Sequence, residues 1–184
     1  MRIFFTLICI FFISSCHKQE LKAVKILKLF DGDSFLVQDY PCFECEEYQI
    51  RLLGIDTPES SQKPWGDKSR AKLDSLIRKD RVIYLEYDFQ KIDKYKRHLA
   101  YAFTDDQKTK LINEEMVLTG YAELFAFAKD LKYLDRLKDA ERIAKQSNLG
   151  IWQKTGGLKT SPYDYRHSSG YKAKKSLRNT KLHQ

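Results

Sequence analysis

The sequence predicts a mainly-β α+β domain in which five short strands close a small barrel and about three helices pack on it. Two observations carry that reading. Short runs rich in β-branched and aromatic residues recur five times, separated by turn and loop signals. One helical pattern interrupts them after the third run, and further helices follow the fifth. With 184 residues, 42% of them hydrophobic, the chain has room for one compact domain with short extensions and enough apolar surface for a core.

The elements follow in order. Leu21–Phe30 is apolar with interspersed lysines, a first strand, and Asp31-Gly32-Asp33 is a tight turn into a returning strand at Ser34–Asp39. Tyr40–Glu46, with Pro41, is the next turn, and Glu47–Leu53 alternates as a third strand. Two prolines and small polar residues make Gly54–Gly66 a loop. Asp67–Lys79 then places Leu73, Leu76 and Ile77 on one helical face. Arg81–Tyr87 (RVIYLEY) is a fourth strand, Phe89–Arg97 a loop, and His98–Thr104 a fifth strand. A short helix over Leu111–Thr119 stops at Gly120. A longer one from Leu131 to Gln146 carries Leu134, Leu137, Ala140 and Ala144 at helical spacing and ends at Asn148 and Gly150. Five antiparallel strands with an intervening helix suit a barrel of the oligonucleotide/oligosaccharide-binding (OB) type. The domain spans 22–155, and the Gly-, Ser-, Lys- and Arg-rich stretch 156–184 reads as a basic, flexible tail.

Formal net charge is +8 and the pI about 9.2, which favours polyanionic partners. At the N-terminus, Arg2 precedes an almost unbroken apolar run from Ile3 to Ile13, about half the length of a membrane span. Residues 1–15 therefore read as an export signal. Ile13-Ser14-Ser15-Cys16 resembles the lipobox of bacterial lipoproteins, which implies cleavage before Cys16, a lipid on that cysteine and a short linker over 16–21. The expected location is outside the cytoplasm, anchored to a bacterial membrane by the N-terminal lipid. Cys42 and Cys45 form a C-x-x-C pair. In an exported chain it reads as a loop disulfide or two free thiols, with redox or zinc chemistry as the alternatives. Zinc lacks support, because His17, His98, His167 and His183 complete no ligand set.

Chemistry concentrates in the predicted turns. Asp33 ends the first hairpin turn, and Asp56 and Glu59 flank Thr57-Pro58 after the third strand. A closed barrel brings these turns to one rim. Carboxylates gathered there repel one another unless a cation lies between them, and oxygen-only donors suit Ca²⁺ or Mg²⁺. Arg51 and Arg97 are the matching phosphate partners, since a guanidinium fork binds two phosphate oxygens. The plain alternative is ordinary turn chemistry, because Asp and Gly are common in turns.

Three strings decide between these. Asp31-Gly32-Asp33-Ser34, Arg51-Leu52-Leu53-Gly54-Ile55-Asp56-Thr57-Pro58-Glu59 and Asp93-Lys94-Tyr95-Lys96-Arg97-His98-Leu99-Ala100-Tyr101 resemble, in order, the signature segments of the staphylococcal nuclease family. Gly120-Tyr121-Ala122 and Leu149-Gly150-Ile151-Trp152 resemble later family landmarks, so the likeness covers roughly 22–153. It implies an OB-type barrel and a monomeric, Ca²⁺-dependent nuclease that cleaves DNA and RNA to 3′-phosphate and 5′-hydroxyl ends. Carried over by motif, Asp33, Asp56 and the Thr57 carbonyl hold Ca²⁺, Glu59 positions or deprotonates water, and Arg51 and Arg97 grip the phosphate. Asp31 tunes the site from behind, and Lys94 and Tyr95 lie near the substrate's terminal phosphate. Lys96 and His98 stand where the family often has glycine, adding bulk beside Arg97, and Ser34 replaces the usual threonine. Phe125 and Phe127 lie in the region of the expected base-stacking aromatics without aligning cleanly. Two other readings remain, a non-catalytic nucleic-acid-binding barrel and a redox lipoprotein built on Cys42/Cys45.

Overall fold

A computed structural model describes residues 21–41, 44–126 and 130–172. Strands β1 (Lys22–Leu29), β2 (Ser34–Asp39) and β3 (Tyr48–Leu52) form a meander. Strands β5 (Val82–Ile92) and β6 (His98–Phe103) form a hairpin, and the ring closes in the order β1-β2-β3-β6-β5. Four of the five neighbour pairs are antiparallel, whereas β3 and β6 run parallel, with Ile50 opposite His98 and Arg51 opposite Leu99. The wholly antiparallel barrel expected from sequence is corrected here by parity. Strands that alternate in direction around a closed ring must be even in number, so five leave one parallel pair.

The inward stripe of the strands supplies the core: Val24 and Ile26, Phe35 and Val37, Ile50 and Leu52, Ile83 and Leu85, Ala100 and Ala102 are all buried. The spacing of two reflects the strand pleat. Helix α1 (Trp65–Leu76) buries Trp65, Ser69 and Leu73, four residues apart, and begins two residues before the predicted Asp67. Helix α2 (Ile112–Leu118) buries Ile112, Met116 and Val117. Its Asn113 donates to the Leu53 carbonyl (2.8 Å) and accepts from the Ala102 amide (2.9 Å), so its buried amide ties the end of β3 to β6. Helix α3 (Leu134–Gln146) buries Leu137, Ala140 and Ala144.

Three details depart from the sequence expectation. Strand β5 continues to Ile92 with a register irregularity after Tyr87, where a loop was expected. The loop after Gly54 contains a two-residue strand β4 (Ile55–Asp56) that pairs with β7 (Glu123–Leu124), Asp56 opposite Glu123. Residues from 156 onward, expected as a flexible tail, include helix α4 (Pro162–His167). Its Ser161 side chain caps the Asp164 amide (3.0 Å) and donates to the Asp164 carboxylate (2.8 Å), a reciprocal cap followed by proline at the first helical position. No helix among the described residues is long and apolar enough to cross a membrane.

Candidate active site

The β1–β2 turn, the strand β3 and the loop after β4 meet at one rim of the barrel. Asp33 is 3% exposed and Asp56 1%. One Asp33 oxygen, Oδ2, accepts from the Thr57 amide (2.8 Å) and hydroxyl (2.8 Å), while Oδ1 accepts from the Ser34 hydroxyl (2.9 Å). Arg51 projects from β3 between the two aspartates, with Nη1 3.1 Å from Asp33 and Nη2 2.9 Å from Asp56. Its Nη1 also donates to the Leu52 carbonyl (2.8 Å), which fixes the plane of the guanidinium. The structure thus brings Asp33, Asp56, Thr57 and Arg51 together as the sequence predicts.

Glu59 joins them through a residue the sequence did not single out. Arg166 of α4 contacts both Asp56 oxygens (3.1 and 2.7 Å) and Glu59 Oε1 (3.0 Å). The Tyr171 hydroxyl lies 3.4 Å from the other Glu59 oxygen. The loop that carries Glu59 is pinned by Gln62, whose Oε1 accepts from the Glu59 amide (2.9 Å). Helix α1 closes on that loop at Gly66, where a Cβ would stand 2.2 Å from the Glu59 carbonyl oxygen. Asp33 and Asp56 meet on Arg51, and Glu59 is joined to Asp56 through Arg166, so the three predicted carboxylates are linked by arginines and do not face one another as a direct cluster.

Arg97 lies apart from this cluster. It sits just before β6, beside β3, with its guanidinium on Asp93 (2.8 and 2.9 Å). Burial works against the Asp93 charge, but its hydrogen bonds from Arg97 and Tyr95 outweigh that and hold its carboxyl below the usual range. The Tyr95 ring, 66% exposed, has the Lys94 ammonium 5.2 Å and the Arg97 guanidinium 5.5 Å from its centre. Lys94, Tyr95 and Arg97 thus form a cationic hairpin end in which Arg97 is held by Asp93. Lys96 adopts φ 64°, the left-handed region that glycine enters freely. His98 packs on Tyr48 (4.7 Å between ring centres) and Tyr87 (6.2 Å). Phe125 stacks on Tyr163 of α4 (6.1 Å), while Phe127 lies outside the described residues. Cys45 is disulfide-bonded, and Cys42 and Cys16 lie outside the described residues.

Burial and crowding raise three carboxyls at this rim. Burial, and then the Asp33 charge, push the Asp31 carboxyl up to about 7. Burial and the Asp56 charge do the same for Glu123, also to about 7. Asp56 is raised as well, chiefly by burial, although both arginines oppose the shift. Five carboxyl groups thus surround two guanidiniums. Among the described residues no three acidic, His or Cys groups converge as a ready cation cage. The donors that Asp33, Asp56, Glu59 and the Thr57 carbonyl offer are nonetheless all oxygen, the donor type that Ca²⁺ and Mg²⁺ take. The Ser161–Asp164 cap and the aromatic residues Tyr163, Tyr165 and Tyr171 signal an ordered segment here, but nothing in the sequence points to the Arg166 contact itself.

Comparison with known proteins agrees. Residues 49–154 match the model of the family described as staphylococcal nuclease homologue. An uncharacterized protein of Methanocaldococcus jannaschii is 30% identical over 151 residues, covering 70% of each chain. The thermonuclease of Staphylococcus hyicus is 26% identical over 145 residues, covering 76% of this chain and 79% of its own. Endonuclease YncB of Bacillus subtilis is 28% identical over 149 residues, covering 77% and 67%. On the match over more than half its length, together with the closed barrel and the carboxylate–arginine rim, this chain belongs to the staphylococcal nuclease family.

Proposed function

We propose that the protein is a nuclease, and more narrowly a Ca²⁺-dependent hydrolase of DNA and RNA that works outside the cytoplasm. Family membership and the nuclease-named relatives support nuclease activity in general. The observation that supports the finer reading is the meeting of Asp33 and Asp56 on Arg51, with Glu59 joined to Asp56 through Arg166 and with Arg97 at the start of the strand that pairs with β3.

Glu59 takes a proton from a water molecule, whose oxygen attacks phosphorus as the bond to the 5′ oxygen breaks. The departing 5′ oxygen takes a proton from a solvent water, leaving a 5′-hydroxyl and a 3′-phosphate, and Glu59 returns its proton to solvent. Arg51 and Arg97 bind the equatorial phosphate oxygens and neutralise the charge that grows on them. Lys94 and Tyr95 hold the substrate's terminal phosphate. Asp33, Asp56 and the Thr57 carbonyl would hold the Ca²⁺ ion, which supplies Lewis-acid polarisation of the phosphate. Export and lipidation at Cys16 rest on the sequence of the first sixteen residues.

Cleavage of single-stranded DNA and RNA is the test, with Ca²⁺, Mg²⁺ or a chelator present. Glu59→Ala and Arg97→Ala are expected to lose about 10²–10⁴-fold in rate while remaining folded. The second reading, a barrel that binds nucleic acid without cutting it, draws on the occupation of Glu59 and Asp56 by Arg166. Folded wild-type protein that binds DNA yet leaves it intact in Ca²⁺ establishes that reading instead.

A further inference from the structure

We propose that residues 156–172 are a cation-released strap, in which Arg166 neutralises the site's carboxylates until a divalent cation replaces it. The inference rests on the reading of Asp33, Asp56 and Glu59 as the cation-dependent site.

The first support is the pattern of contacts. Arg166 bonds both oxygens of Asp56, a carboxylate assigned to the metal, and one oxygen of Glu59, the group assigned to water. Tyr171 reaches the other Glu59 oxygen. A strap that served only to stabilise the fold would have no need of these two side chains in particular. Burial works against the Arg166 charge, but hydrogen bonds with Asp56 and Glu59 outweigh it and raise its pKa, so the guanidinium stays charged here. Guanidinium and divalent cation thus answer the same excess of buried negative charge, and both cannot occupy Asp56 fully.

The second support is how lightly the strap is held. The Gln62 side chain donates to the Thr160 carbonyl (2.9 Å), Trp65 to the Gly156 carbonyl (3.0 Å) and Tyr165 to the Ser61 hydroxyl (3.0 Å). Tyr163 stacks on Phe125 while remaining half-exposed, and Pro162 is the buried residue of α4. A six-residue helix does not persist alone in water, so α4 depends on these contacts and on Arg166. A divalent ion taking Asp56 removes its strongest attachment. The strap contacts named here go to Ser61 and Gln62 before α1, to Trp65 of α1, to Phe125 and to the carboxylates, and none goes to a strand of the closed ring. Release therefore leaves the closed ring intact.

Amide hydrogen exchange and Ca²⁺ titration calorimetry on the full chain test this, with wild type, Arg166→Ala and Tyr163→Ser. Tyr163→Ser loosens the strap without touching a carboxylate. Ca²⁺ is expected to speed exchange at the Tyr165 and Ser168 amides, which bond within the strap. Arg166→Ala is expected to bind Ca²⁺ about tenfold more tightly, from the loss of charge-assisted bonds. Tyr163→Ser should gain roughly threefold, from the lost ring contact. Ca²⁺ binding with unchanged exchange at those amides overturns the strap, as does an unchanged affinity in Arg166→Ala. Failure of all three proteins to bind Ca²⁺ overturns the strap together with the site reading beneath it.

Discussion

Arg51 is a bracket as much as a phosphate ligand. Its fork spans Asp33 and Asp56 while its Nη1 also reaches the Leu52 carbonyl, so the β1–β2 turn, β4 and the end of β3 share one planar cation. A lysine has the charge without the fork and can serve one partner at a time. Arg51→Lys is therefore expected to lose about 1–3 kcal/mol of stability in the absence of divalent ions, because two buried carboxylates are left facing each other. Ca²⁺ should restore part of that loss, since it answers the same repulsion. Urea denaturation with and without Ca²⁺ measures both quantities; no loss in either condition would confine Arg51 to the phosphate, and equal losses would show that Ca²⁺ does not answer the same repulsion.

At the scale of elements, two turns carry the site at a measurable cost. Lys96 holds φ 64° in the β5–β6 turn, at a position where glycine adopts that geometry freely. Lys96→Gly relieves the strain of about 1–2 kcal/mol and gives back part of it as unfolded-chain entropy. A net gain of about 0.5–1 kcal/mol in denaturation is expected, with weaker substrate binding from the lost charge. The Glu59 loop depends on the opposite choice. Gly66 touches the Glu59 carbonyl, so Gly66→Ala must push loop and helix apart, at about 1–3 kcal/mol and with a drop in cleavage rate. The helices α1 and α3 were legible because Leu73, Leu137, Ala140 and Ala144 repeat at helical spacing. Strands β4 and β7 were not, since two residues show no period; their pairing depends on Gly54 and α3 bringing distant segments together. Asp33, Arg51, Asp56 and Glu59 could be read from their motifs because each motif is local. Arg166 could not, since its bond to Asp56 joins residues 110 apart in a stretch with no apolar repeat.

For the whole molecule, the question is what fastens the helical layer to the barrel. Part of the answer is Glu86, 0% exposed on the outer face of β5. Its carboxylate receives the Lys108 ammonium (2.9 Å) from the segment after β6, the Tyr133 hydroxyl (2.7 Å) and the Lys132 ammonium from the approach to α3. The Tyr101 and Tyr133 rings meet edge to face beside it (4.7 Å). Burial works against the charge, yet these partners outweigh it and hold the carboxyl below its ordinary value of 4.5. The sign follows directly. Stability from these bonds is fully present above pH 4.5 and is lost as pH falls through the lowered native value. Glu86→Gln removes the charge at every pH, so at neutral pH it is expected to cost about 3 kcal/mol by leaving two lysines without their carboxylate. On acidification below pH 4.5 the gap between wild type and Glu86→Gln should narrow, because wild type alone loses this contribution. All other titrating groups are shared, so the difference between the two denaturation profiles isolates Glu86. A gap that stays constant from neutral pH down to acid unfolding would assign the fastening of α3 to the Leu137 and Tyr133 packing alone.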